Sequence, residues 1–262
     1  MLSRTLFAAL VAIVSASPCR PPPSSKPTLP STGTIDLPAP NPSGTLKAIA
    51  VGHGIQNYTC ANGVATATAA GALAVLYDVT PFYPGGLNGL SNEGFNSLTT
   101  AVLWTQDVPL NLVDPAAAKP GTPDAPNKGM PPSAYGAAAG NPFRAAADIT
   151  LGEEMPPLKF LGHHYFDAAG APTFDLSTRN MRFSVGLKES VNQPAESDKG
   201  ILGTGAVKWL LLNDNGKGQS TLGSNSQVYR VITAGGVAQA CSTEGAVPKG
   251  SVPYTAFYWF YG

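Results

Sequence analysis

Two adjacent histidines, His163 and His164, lie in the stretch KFLGHHYFDAAGAPTFD at residues 159–175 and are the clearest candidates for chemistry in this sequence. Imidazole can act as a general acid or base and can bind zinc or copper. Successive side chains of a strand point to opposite faces, so the two rings cannot share one ion unless the backbone bulges. This pattern predicts that His164, beside Phe160 and Phe166, is buried and satisfied by one hydrogen bond, whereas His163 faces solvent.

A metal site would need further ligands from distant parts of the chain. The third histidine, His53, could approach either His163 or His164 together with a carboxylate such as Asp78, Glu153 or Glu154. These residues show no ligand spacing typical of a metal site. We therefore keep His53 and His164 as weak metal candidates and expect no metal and no cofactor.

Carboxylates near the histidines suggest glycoside hydrolysis as another possible chemistry. Glu153 and Glu154 are adjacent on a Pro-bounded loop, and Asp167 and Asp175 flank the turn after the histidines. Adjacent glutamates in such loops are usually solvated, and the spacing does not give the distance between two acids across a cleft. A serine hydrolase is not indicated, because no G-x-S-x-G motif occurs.

Aromatic residues in loops are candidates for ligand binding. Trp104, Tyr83 and Tyr135 lie in or beside Gly- and Pro-rich segments, where exposed rings could stack on sugars or other flat ligands. Trp209 and Trp259 lie in strand patterns and are expected in the core. The sequence therefore offers three aromatic candidates for a binding surface.

The composition excludes some classes of partner. The chain has 262 residues, and its 16 basic residues balance its 16 acidic residues, so no overall charge attracts nucleic acid or an anionic membrane. Only 12% of residues are charged, whereas 29 are glycine and 25 are proline. This bias favours a β protein with many turns over long helices.

Alternating apolar and polar residues predict strands at 181–188, 206–213, 226–236 and 254–261. The last of these is apolar on both faces and therefore belongs in the middle of a sheet. Further strands are predicted at 46–60, 71–80, 98–105 and 158–166, although the Ala-rich run at 64–76 could instead form a short helix. Short spacing without amphipathic helices indicates an antiparallel all-β sandwich or barrel with long Pro/Gly/Ala-rich loops.

The organisation of the chain is that of a secreted single-domain protein. Residues 1–16 have a basic residue, a short apolar run and small residues, which is the layout of a secretory signal peptide. A Pro-rich arm is predicted at 17–44 and one β domain at 45–262, in which 114–142 form a long surface loop. No segment outside the signal is long and apolar enough to span a bilayer.

Secretion also suggests how the cysteines are used. In an oxidising compartment, Cys60 and Cys241 are expected to form a disulfide across most of the domain, although Cys19 could compete as an odd third thiol, and Cys60 could instead be a buried free thiol. The sequence NYT makes Asn57 a candidate glycosylation site.

Six ordered strings resemble a known family: LKAIAVGHGIQNYTC, GALAVLYDVT, HHYFDAAGAPTFD, AVKWLLLN, YRVITAGGVAQAC and YTAFYWFYG. They are similar to secreted fungal and bacterial proteins that share a domain of unknown function, some of which carry the automatic label "malate dehydrogenase". The resemblance covers residues 46–262 and implies no catalytic residue. The label conflicts with the sequence, because the glycines at 83–94 lack the spacing and the following helix of a dinucleotide-binding turn.

These observations lead to three functional hypotheses. We prefer a non-catalytic extracellular protein that binds a carbohydrate, a cell wall or a small ligand. The alternatives are a secreted hydrolase or metal-dependent enzyme with a site near His164, and a secreted elicitor recognised by a host. The sequence leans against an enzyme and does not determine the oligomeric state.

Overall fold

The part of the chain with a described structure begins after the predicted signal peptide. The computed structural model describes residues 26–61, 64–86, 88–120, 130–243 and 247–262. The predicted signal peptide, Cys19 and the first part of the Pro-rich arm lie outside these residues.

Within the described residues, eight antiparallel strands pair in chain order, and the last pairs with the first to close a barrel. The strands are β1 (Leu46–Thr59), β2 (Thr68–Asp78), β3 (Lys159–Phe166), β4 (Pro172–Leu176), β5 (Met181–Val191), β6 (Trp209–Asp214), β7 (Gln227–Gly235) and β8 (Lys249–Tyr261). The all-β antiparallel prediction is confirmed, and of its two architectures the barrel is the one observed. Closure leaves none of these eight strands with a free edge.

The barrel closes where β8 pairs with β1. The sequence predicts β8 in the middle of a sheet, and it is paired on both sides. Its large interior side chains are matched by small residues on β1. Ala48 pairs with Phe260, Ala50 with Tyr258, and Gly54 with Tyr254. This alternation of small and large residues fills a narrow barrel without clashes. The interior apolar cluster draws residues from all eight strands, which places it inside the barrel.

Two short helices, α1 (Asn92–Asn96) and α2 (Leu98–Thr105), cover the outer face of the barrel. The prediction of a strand at 98–105 was wrong. The buried side chains of α2 are Leu98, Thr99, Val102 and Leu103, which have helical spacing, and the helix packs on β8 and β7. Tertiary packing therefore overrides the β-branched composition of this segment. None of the described helices has the length and apolar character needed to cross a membrane.

Two other local expectations differ from the structure. The Ala-rich run enters strand β2 from Thr68 onwards, so the helical alternative is wrong there. The strand predicted at 206–213 begins only at Trp209, because Ala206 instead forms an isolated bridge with Gly236. Short 3-10 helices occur at Thr80–Phe82, Pro115–Ala118, Pro132–Tyr135, Ser177–Arg179 and Gly223–Asn225.

The Pro-rich segments pack against the barrel. From residue 26 to β1 the arm forms no helix or strand, and Leu29 and Leu37 contact the outer apolar cluster. The described parts of the predicted surface loop 114–142 bury Ala117 and Tyr135 against the outer side of β1. Both segments therefore add to an outer layer around the barrel.

The predicted disulfide is confirmed. Cys60 at the end of β1 is bonded to Cys241 before β8, with their Cα atoms 5.6 Å apart and 181 positions between them in sequence. Since β1 and β8 are paired along their length, the bond fastens the strands at which the barrel closes.

Candidate functional site

A cavity of about 640 Å³ lies inside one end of the barrel and opens to solvent. The other end is filled by aromatic rings, because Phe260 packs 5.1 Å from Phe183 and 5.5 Å from Phe174 between ring centres. The cavity wall is mainly apolar and is formed by side chains from all eight strands and the segments beside them. Its larger lining residues are Gln56, Tyr58, His164, Phe166, Phe174, Leu187, Gln193, Lys208, Leu210, Leu212, Arg230 and Tyr258.

His164 belongs to the floor of this cavity. Its ring stacks on Phe174 at 4.0 Å with an interplanar angle of 7°, and Tyr258 lies 5.7 Å away. Nδ1 lies 2.9 Å from the carbonyl oxygen of Thr173, so Nδ1 carries the proton and Nε2 is left as an acceptor. Burial lowers the pKa of His164 to about 4, which keeps the ring neutral at pH 7. The predicted buried, singly hydrogen-bonded histidine is confirmed.

A β-bulge changes the faces that the sequence assigned in β3. Gly162 pairs with Leu76, but the next pair is Phe160 with Tyr77, so Leu161 is an extra residue. Leu161 consequently packs inside the barrel and Phe160 outside. The prediction that Phe160 shares a face with His164 was therefore wrong, because strict alternation does not survive a bulge.

A second polar group of the cavity, Gln56, has an unused acceptor. Its Nε2 donates to the carbonyl oxygen of Gly71 at 2.8 Å, whereas its buried Oε1 has no partner among the described residues. Leaving a buried carbonyl oxygen without a hydrogen bond is costly. A ligand hydroxyl or N–H group in the cavity would satisfy it.

His163 lies on the outer face of the barrel, away from the cavity. Its ring centre is 4.1 Å from that of Phe143 and 5.2 Å from that of Phe160. Burial lowers its pKa, and its Nε2 is buried without a partner among the described residues. The expectation of a solvent-exposed ring was wrong, because the segment carrying Phe143 folds over this face.

The two metal candidates are separated by the barrel wall. His53 pairs with Val75, which pairs with His163, so these three residues share the outer face. His164 pairs with Ala74 and faces inwards. His53 and His164 therefore cannot hold one ion, which corrects that pairing. Among the described residues, no group of three or more His, Cys, Asp or Glu side chains is placed to hold a metal.

The acidic candidates lie apart from His164. Glu153 and Glu154 are exposed on a bend before β3, and neither lines the cavity. Asp167 accepts hydrogen bonds from the backbone N–H groups of Ala169 and Ala171, both at 2.9 Å, and so closes the β3–β4 hairpin. The turn predicted after the histidines is thus present, and it accounts for Asp167.

The three aromatic binding candidates are packing residues. Tyr135 is 1% exposed, and its hydroxyl accepts from the N–H of Met130. Tyr83 packs edge-on against Trp259 at 5.7 Å, and Trp104 donates from Nε1 to a carboxylate oxygen of Asp198 at 2.7 Å. None of the three lines the cavity. Their loop positions suggested exposure, but the outer layer covers them.

Sequence reasoning missed the side chains at the mouth of the cavity. Lys208, Arg230 and Leu187 lie within the strands predicted at 206–213, 226–236 and 181–188, and none of them is among the predicted site residues. Leu187 pairs with the buried Leu212 but is 65% exposed, because the open cavity lies beside it. An inward-facing Arg in an otherwise apolar strand was the one available signal.

Comparison with known proteins gives a family but no activity. A family model described as "Protein of unknown function (DUF3455)" matches residues 40–262. No curated protein and no solved structure matches this chain. The resemblance to a domain-of-unknown-function family is thereby confirmed.

Proposed function

The chain belongs to the DUF3455 family of unknown function, and we propose that it is a non-catalytic protein that binds a small, largely apolar molecule in the barrel cavity. The observation that carries this proposal is the cavity of about 640 Å³ at the open end of the barrel. Ligand pockets typically enclose about 300–1,000 Å³, and eight-stranded barrels are of the size that holds one small ligand.

The rim of the cavity supports an apolar ligand. Phe166 is 39% exposed and Leu187 is 65% exposed, and both line the opening. Large exposed apolar side chains beside a pocket commonly mark a binding surface. An apolar ligand would remove both side chains from water.

The same wall favours binding over hydrolysis. No acidic side chain is among the residues that line the cavity in the described chain, and His164 is a neutral ring stacked on Phe174. A general base of a hydrolase works together with an oriented nucleophile or a second acid. The floor instead offers a flat apolar surface and single hydrogen-bond acceptors. Such a surface suits the binding of a molecule without its chemical conversion.

We further propose that the protein acts outside the cell. The apolar run near the start of the chain supports this, and the Cys60–Cys241 disulfide is compatible with an oxidising compartment. Asn57 remains the predicted glycosylation site, although it lies inside β1 and its side-chain oxygen accepts from Ser251. Mass spectrometry of protein from culture medium would test cleavage after residue 16 and a glycan at Asn57.

A neutral fluorescent probe tests the binding proposal. N-phenyl-1-naphthylamine should bind the purified protein at one site per chain with increased fluorescence. Ala72→Phe places a ring in the cavity, because Ala72 lines it, and should abolish that binding. Ala139→Phe adds the same ring at an exposed position away from the cavity and should bind the dye normally. Absent binding, or binding that ignores Ala72→Phe, would refute the proposed function.

A further inference from the structure

The mouth of the cavity carries positive charge without a balancing acid. Lys208 and Arg230 both line the cavity, and no Asp or Glu is among its lining residues in the described chain. Neither cation takes part in any of the salt bridges among the described residues. A ligand in the cavity would displace water from these two cations. The mainly apolar wall offers little to replace the lost hydrogen bonds, so the ligand itself would have to balance the charge.

Arg230 is held with its charge towards the cavity. It lies on β7 between Leu210 of β6 and Tyr258 of β8, and both neighbours line the cavity. Its Nε and Nη2 atoms donate to the carbonyl oxygen of Lys208 at 3.1 and 2.9 Å. A guanidinium has five N–H groups, so these two bonds orient its plane and leave other N–H groups on the side of Tyr258 and the cavity.

The positive charge of Arg230 acts electrostatically on Tyr258 and His164 at the cavity floor. Burial raises the pKa of Tyr258, and the positive charge of Arg230 opposes that rise. Burial lowers the pKa of His164, and the same charge lowers it further. The cavity therefore has a positive mouth above an apolar floor that includes Phe174.

We propose that the ligand is an amphipathic organic acid, whose carboxylate binds Arg230 and Lys208 at the mouth while its apolar body packs on Phe174, Leu210 and Tyr258. This inference rests on the proposed binding function and adds the chemical class of the ligand. A carboxylate accepts two parallel hydrogen bonds from a guanidinium, which gives both charge compensation and orientation.

Three ten-carbon compounds that differ only in their end group test the inference. Decanoate, decan-1-ol and decylamine are titrated at pH 7 against protein loaded with N-phenyl-1-naphthylamine. Decanoate should displace the dye at a concentration at least about tenfold lower than decan-1-ol, the factor expected for one charge-assisted hydrogen bond. Decylamine should be the weakest competitor, because its ammonium meets like charges.

Variants identify the residues responsible. Arg230→Met should weaken decanoate about tenfold and leave decan-1-ol unchanged. Because Arg230 also bonds to the Lys208 backbone, Lys208→Met serves as a second variant that keeps this bond and should weaken decanoate in the same sense. Lys217→Met removes an exposed lysine outside the cavity and should change neither affinity.

The outcomes separate the two proposals. If the dye binds but decanoate competes no better than decan-1-ol, or decylamine competes best, the organic-acid inference is refuted and the binding function stands. If decanoate is preferred but both cavity variants retain that preference, the assignment to Arg230 and Lys208 is overturned. If neither the dye nor any of the three compounds binds, the proposed function itself fails.

Discussion

Replacing His164 by phenylalanine should make the stability of this protein less sensitive to acid. His164 is buried and neutral on the cavity floor, and burial lowers its pKa to about 4. In the unfolded chain a histidine has a pKa of about 6.5. As the pH falls below that value, His164 becomes protonated in the unfolded chain but stays neutral in the folded protein. The folded state therefore loses stability relative to the unfolded state.

The size of the effect follows from these two pKa values. At pH 7 both states are nearly deprotonated, so His164 contributes almost nothing to the pH dependence. At pH 5 the unfolded chain binds nearly one more proton at this residue, and linkage gives a loss of about 2 kcal/mol relative to pH 7. His53, whose pKa burial lowers to about 3, should contribute a similar loss. The loss of stability caused by His164 is complete only when the pH falls below its pKa of about 4 in the folded protein.

The assay is urea unfolding at pH 7 and pH 5, followed by circular dichroism. The phenylalanine ring retains the stacking on Phe174 but cannot titrate, so His164→Phe should lose about 2 kcal/mol less than the parent between the two pH values. His53 and His163 are present in both proteins, so their contributions to the pH dependence of the free energy of unfolding cancel in the comparison. Absolute stability at pH 7 is not the readout, because the variant also loses the hydrogen bond to Thr173.

Phe174→Leu is the matched control. It disturbs the same floor without removing a titratable group and should show the full parental loss at pH 5. Equal losses for the parent and His164→Phe would refute the reasoning, because they would mean that this ring is protonated as easily in the folded state as in the unfolded chain.

Three further changes probe closure, packing and binding. Replacing Cys60 and Cys241 by serine should lower the free energy of unfolding by about 3–5 kcal/mol in urea, because the bond closes a very long loop of chain. Gly54→Ala should cost about 3 kcal/mol or more in the same assay, since the new Cβ would lie 1.9 Å from the carbonyl oxygen of Leu73. Leu187→Ser should weaken dye binding about fivefold to tenfold with little change in urea unfolding, because this side chain is 65% exposed and lines the cavity.

Each of these changes has its own comparison. Reduced parent protein should unfold at the same urea concentration as the double serine variant, and a difference between them would contradict the assignment of stability to the disulfide. Gly186→Ala should be nearly neutral, since nothing lies within 4 Å of its new Cβ; a similar cost at both glycines would count against the packing argument. Val113→Ser, at another exposed site, should leave dye affinity unchanged, and a loss there would show that the dye binds outside the cavity.

Local periodicity was sufficient to predict most strands and the fold class. The aromatic segment 254–261, apolar on both faces, could only be a central strand, and β8 is paired on both sides and buried from Ser251 to Tyr261. The segment 98–105 shows the limit of such reasoning. Its composition suits a strand, but its place over the outer face of the barrel makes the helix the form that buries its apolar side chains.

The site was less accessible from sequence, as β3 illustrates. The alternating pattern correctly separated His163 from His164, but it could not reveal the bulge at Leu161 that moves Phe160 to the outer face. A bulge depends on pairing with β2, which is distant in sequence. The cover over Tyr83 and Tyr135 likewise depends on segments that fold back from elsewhere in the chain.

The sequence by itself determined an antiparallel β domain and predicted a buried His164, because alternation and local apolar context are properties of short segments. It favoured the Cys60–Cys241 bond, but with a third cysteine at position 19 the pairing was decided by the structure. Only the tertiary structure decided that the sheet closes with a cavity at one end, and that Arg230 and Leu187 face it. Closure brings together side chains from strands far apart in the chain, and their register is fixed by packing inside the barrel.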